Sequence, residues 1–107
     1  METECIFCQI INKKRSADII FEDESFIVFK DINPKADVHF LLVPKLHIES
    51  INSLKEEQRE LIGDLFLLVK KIANEQGVDD GYKLLFNVGR KGGQLVDHLH
   101  LHLLANR

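Results

Sequence analysis

The chain has 107 residues, of which 45% are hydrophobic and 29% charged, and its formal net charge is −3. This composition is that of a folded globular domain and excludes a disordered chain. The lack of a basic excess argues against binding along a nucleic-acid backbone. No apolar run approaches the roughly 20 residues that span a bilayer, and the acidic start at residues 1–4 does not resemble a signal peptide. We therefore expect a single domain over residues 1–107, in the cytoplasm, with no membrane or nucleic-acid partner.

The first part of the chain predicts a short helix followed by three strands. Residues 5–12 carry apolar side chains on one side of a helix, and residues 19–21 and 26–29 are rich in strand-forming types. The polar stretch 22–25 between these two strands is typical of a hairpin turn. Residues 40–43 predict a third apolar strand, which ends at a proline.

The longest predicted element is an amphipathic helix in the middle of the chain. Ser53 is a good N-cap, and Glu56 three residues later completes a capping box. Gly77 favours the end of the helix. The apolar positions recur with a helical period and predict one buried stripe: Leu54, Leu61, Ile62, Leu65, Phe66, Val69, Ile72 and Ala73.

Two further strands complete the predicted fold. Residues 83–88 and 98–104 have the composition of strands, and the loop at residues 89–93 carries three glycines. Because the strands follow one another in sequence with one long helix inserted, we expect an α+β fold with an antiparallel sheet.

The last predicted strand carries histidines at alternate positions: His98, His100 and His102. Since side chains alternate along a strand, the imidazoles share one face and the leucines between them share the other, which can pack on the long helix. An imidazole with an ordinary pKa of about 6.5 is a competent nucleophile at neutral pH and, when charged, a donor to phosphate. Upstream, the glycines of residues 92–94 can bring backbone N–H groups close to an anion. The pattern therefore predicts phosphoryl chemistry.

Two other interpretations of these histidines stay open at the level of sequence. Three imidazoles can bind one catalytic zinc ion, in a site that leaves the metal open to water. Histidines on a strand can also be tolerated polar residues without a function.

The segment from His98 to Leu104 resembles the His-φ-His-φ-His-φ-φ signature of the histidine triad (HIT) superfamily, in which φ is apolar. The resemblance implies a HIT-like α+β fold with a five-stranded antiparallel sheet, one long helix and one short helix, paired across a homodimer. Other segments resemble the Hint branch in order and spacing: Ile6-Phe7, Phe21-Glu22-Asp23, Phe29 to Pro34, His39 to Lys45, and Gly92-Gly93-Gln94.

The resemblance implies a two-step reaction on purine nucleoside phosphates and phosphoramidates. His100 would attack the α-phosphorus to form a nucleotidyl-histidine, and water would release the nucleoside monophosphate. His102 would contact the phosphate, and His98 would orient the nucleophile, partly through its backbone carbonyl. Asn87 and Gln94 correspond to positions near the phosphate and the leaving group.

The same resemblance implies a nucleotide pocket. Asp31 corresponds to the acidic residue that holds the ribose hydroxyls, for which a carboxylate is a suitable acceptor. His39 corresponds to a histidine close to the triad. The positions that correspond to the base pocket are Ile6, Phe7, Ile10 and Ile32.

The chain departs from the Hint pattern after Gly92-Gly93-Gln94, where Leu95 replaces the usual hydroxyl residue. A hydroxyl can donate a hydrogen bond near the leaving group, whereas leucine cannot. The chain also lacks the usual C-terminal tail with a tryptophan. Leu95 favours an alternative function, a nucleotide-binding regulatory module with little turnover, whereas the intact triad favours an enzyme.

A Cys-x-x-Cys pair at Cys5 and Cys8 predicts metal or redox chemistry rather than a structural disulfide in a reducing compartment. Some bacterial HIT proteins hold zinc with two such cysteines and two histidines. The corresponding histidines here are His47 and His98, and two thiolates with two imidazoles are typical of a closed, structural zinc site. Such an ion would tie the N-terminal helix to the histidine strand. A pair of buried thiols without metal is the alternative.

Overall fold

The structure is a computed structural model that describes residues 5–107, so the acidic start, residues 1–4, lies outside the described residues. The elements are α1 (Ile6–Ile11), β1 (Ile19–Glu22), β2 (Phe26–Lys30), β3 (Val38–Pro44), α2 (Arg59–Glu75), β4 (Lys83–Leu85) and β5 (Leu101–Ala105). The predicted α+β fold is confirmed: the five strands form one antiparallel sheet in the order β1-β2-β3-β5-β4. Within residues 5–107, no helix is long and apolar enough to cross a membrane.

The long helix α2 covers one face of the sheet and forms the larger of the two apolar clusters with it. Leu101 and Leu103 of β5 belong to this cluster, as predicted for the leucines of the histidine strand. Burial of such side chains is worth roughly 1.5–3 kcal/mol each, which fixes β5 on this helix. The other buried members include Val28, Leu42, Leu65, Val69 and Ile72.

The short helix α1 covers only part of the opposite face. Its Phe7 and Ile10 pack on β2 and β3. Because α1 is only six residues long, it leaves the β5 and β4 side of this face open. The strand register aligns one row of side chains across the face, so that the open region lies beside the helix: Phe29, Leu41, His102 and Leu85.

The start of the long helix differs from the prediction. Ser53 is the last residue of a 3-10 turn, and it is Ser50 whose side chain accepts a hydrogen bond from the Asn52 N–H. Glu56 begins a second 3-10 turn rather than closing a capping box. The α-helix begins at Arg59, since two tight turns consume the preceding residues. Leu54, predicted to lie on the apolar stripe, therefore precedes the helix.

The rest of the helix follows the prediction with one exception. The chain leaves the helix at Gly77, whose φ of +70° lies in the left-handed region that favours glycine. Phe66 was expected in the buried stripe but is 46% exposed, while Leu68 is buried instead. A sequence period cannot distinguish these neighbours when apolar residues occupy several adjacent positions.

The strand boundaries also need correction. β4 ends at Leu85 rather than at residue 88, and β3 extends through Pro44. β5 begins at Leu101, so His98 and His100 precede the ladder. This extended segment bonds elsewhere, since the Leu99 N–H donates to the Ile48 carbonyl.

Candidate active site

A cleft of about 630 Å³ lies between α1 and the histidine segment, on the face that α1 leaves partly open. The structure brings most of the predicted site residues together around it: Ile6, Phe7, Ile10, Asp31, Ile32, Asn87, His100 and His102. His39, Gln94 and His98 do not line the cleft and lie behind its walls.

Several lining residues were not predicted from the sequence. Phe29 and Leu41 form the floor of the cleft and pair directly across β2 and β3. The pairing register of β2 and β3 could have identified both residues, because directly opposed residues lie on the same face of the sheet. Basic groups also line the cleft: Arg15, Lys30 and Lys35. No periodic pattern in the sequence indicates them.

His100 is buried and held in one tautomer. Its Nδ1 lies 2.7 Å from the backbone carbonyl of His98, which can only accept, so Nδ1 carries the proton. The lone pair is then on Nε2. Burial lowers the pKa of His100, against the raising influence of the His98 hydrogen bond and of Asp31. The ring is therefore neutral at pH 7, as a nucleophile requires.

A chain of hydrogen bonds also fixes the tautomer of His102. The Lys35 backbone N–H donates to His39 Nδ1 over 3.1 Å, so His39 must carry its proton on Nε2. That N–H donates to His102 Nδ1 over 2.9 Å. His102 therefore accepts at Nδ1 and carries its own proton on Nε2.

The Nε2 atom of His102 is buried and has no hydrogen-bond partner within the described part of the chain. Burial, together with His100 and His39, lowers the pKa of His102 to about 4, although Asp31 opposes the shift. His102 is thus a neutral donor at pH 7. A buried donor without a partner is costly, and a phosphate oxygen in the cleft would satisfy it.

Asp31 directly follows β2 and lines the cleft. Its Oδ1 accepts from the Asn33 N–H at 2.8 Å, and its Oδ2 lies 3.4 Å from His39 Nε2. Asp31, His39 and His102 are close enough to hold a metal ion. The tautomers argue against one, because a protonated His39 Nε2 has no lone pair for a metal.

The three triad imidazoles do not converge on a common point, which contradicts the interpretation of the triad as one zinc site. His98 Nδ1 faces Cys5 and Cys8, whereas His100 and His102 face the cleft. Among the described residues, no candidate metal cluster contains all three histidines.

Asn87 and Gly93 lie opposite each other beside the histidines. Gly93 has a φ of +91°, and a Cβ built on it would lie 3.6 Å from Asn87 Oδ1. The positive φ therefore favours glycine at this position, whereas a Cβ would meet only ordinary contacts. It also leaves room for an anion near the Asn87 amide and the loop N–H groups.

Gln94 was predicted near the phosphate, but its buried side chain holds the loop together instead. Gln94 Oε1 accepts from the Gly89 N–H at 3.0 Å, and Nε2 donates to the carbonyls of Glu49 and Val96. Both ends of the amide are occupied by backbone groups, so Gln94 shapes the loop without reaching the cleft.

The four predicted metal ligands form one cluster: Cys5, Cys8, His47 and His98. Cys8 Sγ lies 3.2 Å from His47 Nδ1 and 3.5 Å from His98 Nδ1. Cys5 Sγ lies 3.4 Å from His98 Nδ1. In a tetrahedral site with Zn–S of about 2.3 Å and Zn–N of about 2.0 Å, sulfur and nitrogen lie roughly 3.5 Å apart. The spacing and the donor set therefore fit zinc.

His98 connects this cluster to the cleft. Its Nε2 donates to the Pro44 carbonyl at 2.7 Å, which leaves the Nδ1 lone pair directed at the sulfurs. Imidazoles that bind a metal are commonly oriented by an outer hydrogen bond of this kind. The His98 carbonyl accepts from His100 Nδ1. One residue thus contacts both the cysteine cluster and the catalytic candidate.

Comparison with known proteins agrees with this architecture. Residues 4–107 match the family profile described as "Scavenger mRNA decapping enzyme C-term binding". The purine nucleoside phosphoramidase of Escherichia coli K12 is 38% identical over 108 residues, covering 100% of this chain and 91% of that protein. The chain belongs to the histidine triad (HIT) family.

Solved HIT structures share the fold and most of the length. The HIT family hydrolase from Legionella pneumophila Philadelphia 1 is 42% identical with a TM-score of 0.95, covering 97% of this chain and 94% of that one. A zinc-bound HIT protein from Mycobacterium smegmatis is 30% identical with a TM-score of 0.83, covering 100% of this chain and 78% of that one.

Two exposed apolar residues mark the rim of the HIT cleft. Leu95 is 82% exposed and Ile32 is 91% exposed, yet both line the cleft with His100 and His102. Leu95 therefore does not belong to the packed core. Its side chain stands where a bound substrate would contact it.

Proposed function

We propose that this HIT protein is a hydrolase or transferase that cleaves phosphoramidate or phosphoanhydride bonds at the α-phosphate of purine nucleotides. The observation that carries the proposal is the tautomer of His100: Nδ1–H bonded to the His98 carbonyl leaves Nε2 as the nucleophilic atom of a cleft-lining ring. The name of the Escherichia coli relative, purine nucleoside phosphoramidase, supports the substrate class.

The reaction proceeds in two steps. The Nε2 lone pair of His100 attacks the α-phosphorus, the bond to the leaving group breaks, and the bond electrons go to the leaving nitrogen or oxygen. Water then cleaves the P–N bond to His100. The two steps together consume one water molecule. Its hydroxyl ends on the phosphorus, and its other proton ends on the leaving group. The Nε2–H of His102, the Asn87 amide and the loop at Gly93 stabilise the phosphoryl oxygens, since this chemistry depends on positioned donors.

The remaining lining residues hold the nucleoside. Phe7, Ile10, Phe29 and Leu41 offer an apolar slot suited to a purine. Asp31 accepts from the ribose hydroxyls through a carboxylate already oriented by the Asn33 N–H. The substrates are purine nucleoside monophosphates or their conjugates.

We also propose that Cys5, Cys8, His47 and His98 hold a structural zinc ion, supported by the ligand spacing and by the zinc-bound relative. When bound, the ion would supply a rigid four-ligand crosslink rather than reaction chemistry. Through the His98 carbonyl, this crosslink fixes the backbone that positions His100.

We further propose a homodimer formed through β4. This strand lies at the edge of the sheet, and all three of its residues are exposed, including Leu84 and Leu85. An exposed apolar edge strand is a template for pairing. Two copies related by a twofold axis would join their sheets at this edge.

A second candidate function, a nucleotide-binding module with little turnover, is favoured by one observation. Leu95 lines the cleft where a hydroxyl would assist the leaving group, and leucine provides no hydrogen-bond donor.

A fluorogenic adenosine phosphoramidate separates these functions. The hydrolase releases the fluorophore, rapid denaturation at alkaline pH during turnover traps a nucleotide on the protein, and a chelator does not stop the reaction while the protein stays folded. His100→Ala should retain nucleoside monophosphate binding and trap no nucleotide. Its turnover should fall by much more than tenfold, which corresponds to about 1.4 kcal/mol in the barrier. Tight binding without turnover by the wild type would support the regulatory module instead.

A further inference from the structure

His39 is a buried residue of β3 that contacts both Asp31 and His102 without lining the cleft itself. Its register partner on β5 is Leu104, so His102 is its diagonal neighbour, within reach of a long side chain on the same face. On its other side, the His39 carbonyl accepts from the Asp31 N–H at 2.9 Å. His39 therefore acts on a bound nucleotide through its neighbours rather than by direct contact.

The ring of His39 has one N–H and two acceptors for it. Because Nδ1 accepts from the Lys35 N–H, the proton is on Nε2. Nε2 lies 2.9 Å from His102 Nδ1 and 3.4 Å from Asp31 Oδ2. The shorter contact is the hydrogen bond to His102. The carboxylate of Asp31 competes for the same proton, because a charged acceptor attracts an N–H more strongly than a neutral one.

The hydrogen bond from His39 determines what the His102 ring presents to the cleft. While His102 Nδ1 accepts from His39, the proton of His102 must be on Nε2, the atom that has no partner among the described residues. In the opposite tautomer, two N–H groups would face each other, and a lone pair on Nε2 would repel a phosphate oxygen. A weaker bond between His39 and His102 therefore means a weaker phosphate donor.

The Asp31 carboxylate has one oxygen that is well bonded within the protein and one that is not. Its Oδ1 accepts from the Asn33 N–H at 2.8 Å, whereas Oδ2 has the longer contact of 3.4 Å to His39. Ribose hydroxyls that donate to this carboxylate satisfy its acceptor capacity and reduce its competition for the His39 N–H. The N–H then bonds to His102 alone.

We propose that His39 couples recognition of the ribose hydroxyls at Asp31 to phosphate binding at His102. The inference rests on the proposed function, because it takes Asp31 as the ribose contact and His102 as the phosphate donor. His39 is a positioning residue: ribose hydroxyls strengthen its bond to His102, and a nucleotide that lacks them leaves the N–H shared. Coupling between two sites is reciprocal, so the phosphate also strengthens ribose binding. The pocket thus selects ribose and phosphate together rather than each by itself.

Four ligands measure this coupling at equilibrium: adenosine monophosphate, adenosine, and the 2′,3′-dideoxy form of each. Their dissociation constants are measured by NMR titration, which accommodates weak ligands and needs no turnover. The phosphate gain is the affinity of each monophosphate divided by that of its nucleoside. In the wild type, this gain should be about fivefold larger with the ribose hydroxyls than without them, at the low end for coupled sites.

Two substitutions of His39 separate its hydrogen bond from its packing. His39→Leu has no side-chain donor, so the two phosphate gains should become equal, and ¹⁵N spectra of the His102 ring should show mixed tautomers instead of one Nε2–H form. His39→Gln retains a side-chain N–H for His102 and should restore the Nε2–H form. Because the glutamine amide has two N–H groups, His102 and Asp31 no longer share one proton, so the excess gain should again be lost.

Leu104→Ala is the matched control, since it removes apolar contact beside His39 but no hydrogen bond. It should leave the excess phosphate gain unchanged. Equal phosphate gains in the wild type would overturn the coupling, and so would an excess gain that His39→Leu or His39→Gln retains in full. A single Nε2–H form of His102 in His39→Leu would likewise overturn it.

Turnover of the adenosine phosphoramidate by the wild type reports on the proposed function alone. A protein that hydrolyses this substrate but shows equal phosphate gains loses only the coupling. A protein that shows the excess gain without turnover loses only the hydrolase.

Discussion

At the scale of single residues, His102 has two notable properties: its Nε2–H has no hydrogen-bond partner among the described residues, and its pKa is lowered. Its Nδ1 accepts from His39, and its Nε2–H has no partner among the described residues. The charged form is disfavoured by burial and by the neighbouring imidazoles of His100 and His39, while Asp31 favours it. The same residue therefore offers an N–H group that suits a phosphate oxygen and makes stability depend on pH.

The pH prediction follows from the sign of this shift. The pKa of His102 is about 4 in the folded protein and about 6.5 in the unfolded chain. Between these values the unfolded chain binds the proton and the folded protein does not, so the free energy of unfolding falls as the pH drops. The stabilisation is complete above about pH 6.5 and lost near pH 4. The free energy of unfolding of wild type and of His102→Gln can be measured with denaturant over pH 4–7. It should depend less steeply on pH in the variant. Parallel curves would contradict the assigned shift.

The substitution Leu95→Ser tests the departure at the cleft rim. A serine hydroxyl can donate to the leaving nitrogen, worth about 0.5–1.5 kcal/mol, or roughly a two- to tenfold gain in kcat/KM on a phosphoramidate. An acyl adenylate has a better leaving group and should gain little. Because Leu95 is 82% exposed, its loss should change stability by no more than about 0.5 kcal/mol. Steady-state kinetics on both substrates measure the effect, and an unchanged phosphoramidate rate in the folded variant would refute this role for Leu95.

At the scale of elements, the sequence predicted the fold class and the succession of helices and strands along the chain, because alternation and helical period are local signals. It did not predict boundaries that depend on long-range bonds. β5 begins at Leu101 rather than His98, since His98 bonds to Pro44 at the end of β3 and Leu99 bonds to Ile48 beyond it. Likewise Gln94 carries a side chain that suits phosphate binding, and only the folded loop directs its amide to the Glu49 carbonyl.

The start of α2 provides a direct test of one such boundary. The side chain of Ser50 caps the 3-10 turn by accepting from the Asn52 N–H at 3.2 Å, whereas Ser53 ends that turn. Ser50→Ala should therefore lower the free energy of unfolding by about 0.5–1 kcal/mol, at the low end for a lost cap. Ser53→Ala is the matched control and should change it by less than about 0.5 kcal/mol. Denaturant titration measures the free energy of unfolding of both variants. If Ser53→Ala lowered it by more than Ser50→Ala, Ser50 would not be the capping residue.

At the scale of the whole molecule, the proposed dimer depends on the exposed edge strand β4. A charge on the outward strand should prevent pairing, because edge-to-edge association would bury it. Leu84→Glu should convert the dimer into a folded monomer, measured by sedimentation together with circular dichroism. Lys55→Glu, exposed and distant from β4 in the sequence, is the control. A monomeric wild type, or a Leu84→Glu protein that still dimerises, would count against pairing through β4.

The cysteine cluster joins the two halves of the cleft, because Cys5 and Cys8 belong to the α1 segment that carries Phe7, while His98 contacts His100. We expect close to one zinc ion per chain after expression with adequate zinc. Cys8→Ser should abolish zinc binding, since Cys8 Sγ contacts both His47 and His98.

Loss of the metal should appear as a loss of stability, because only the folded chain presents all four ligands. Free zinc at about 1,000 times its Kd stabilises by about 4 kcal/mol, so the melting temperature should fall by roughly 10 °C or more in a domain of about this size. Chelation of the wild type should reproduce this fall, whereas the chelator should leave Cys8→Ser unchanged. Hydrogen exchange should increase in α1 and in residues 98–102 together, since the metal connects them through His98. A zinc-free wild type with the same melting temperature as Cys8→Ser would reject the metal site. A zinc-bound protein whose exchange increases in α1 alone would reject its connection to His100.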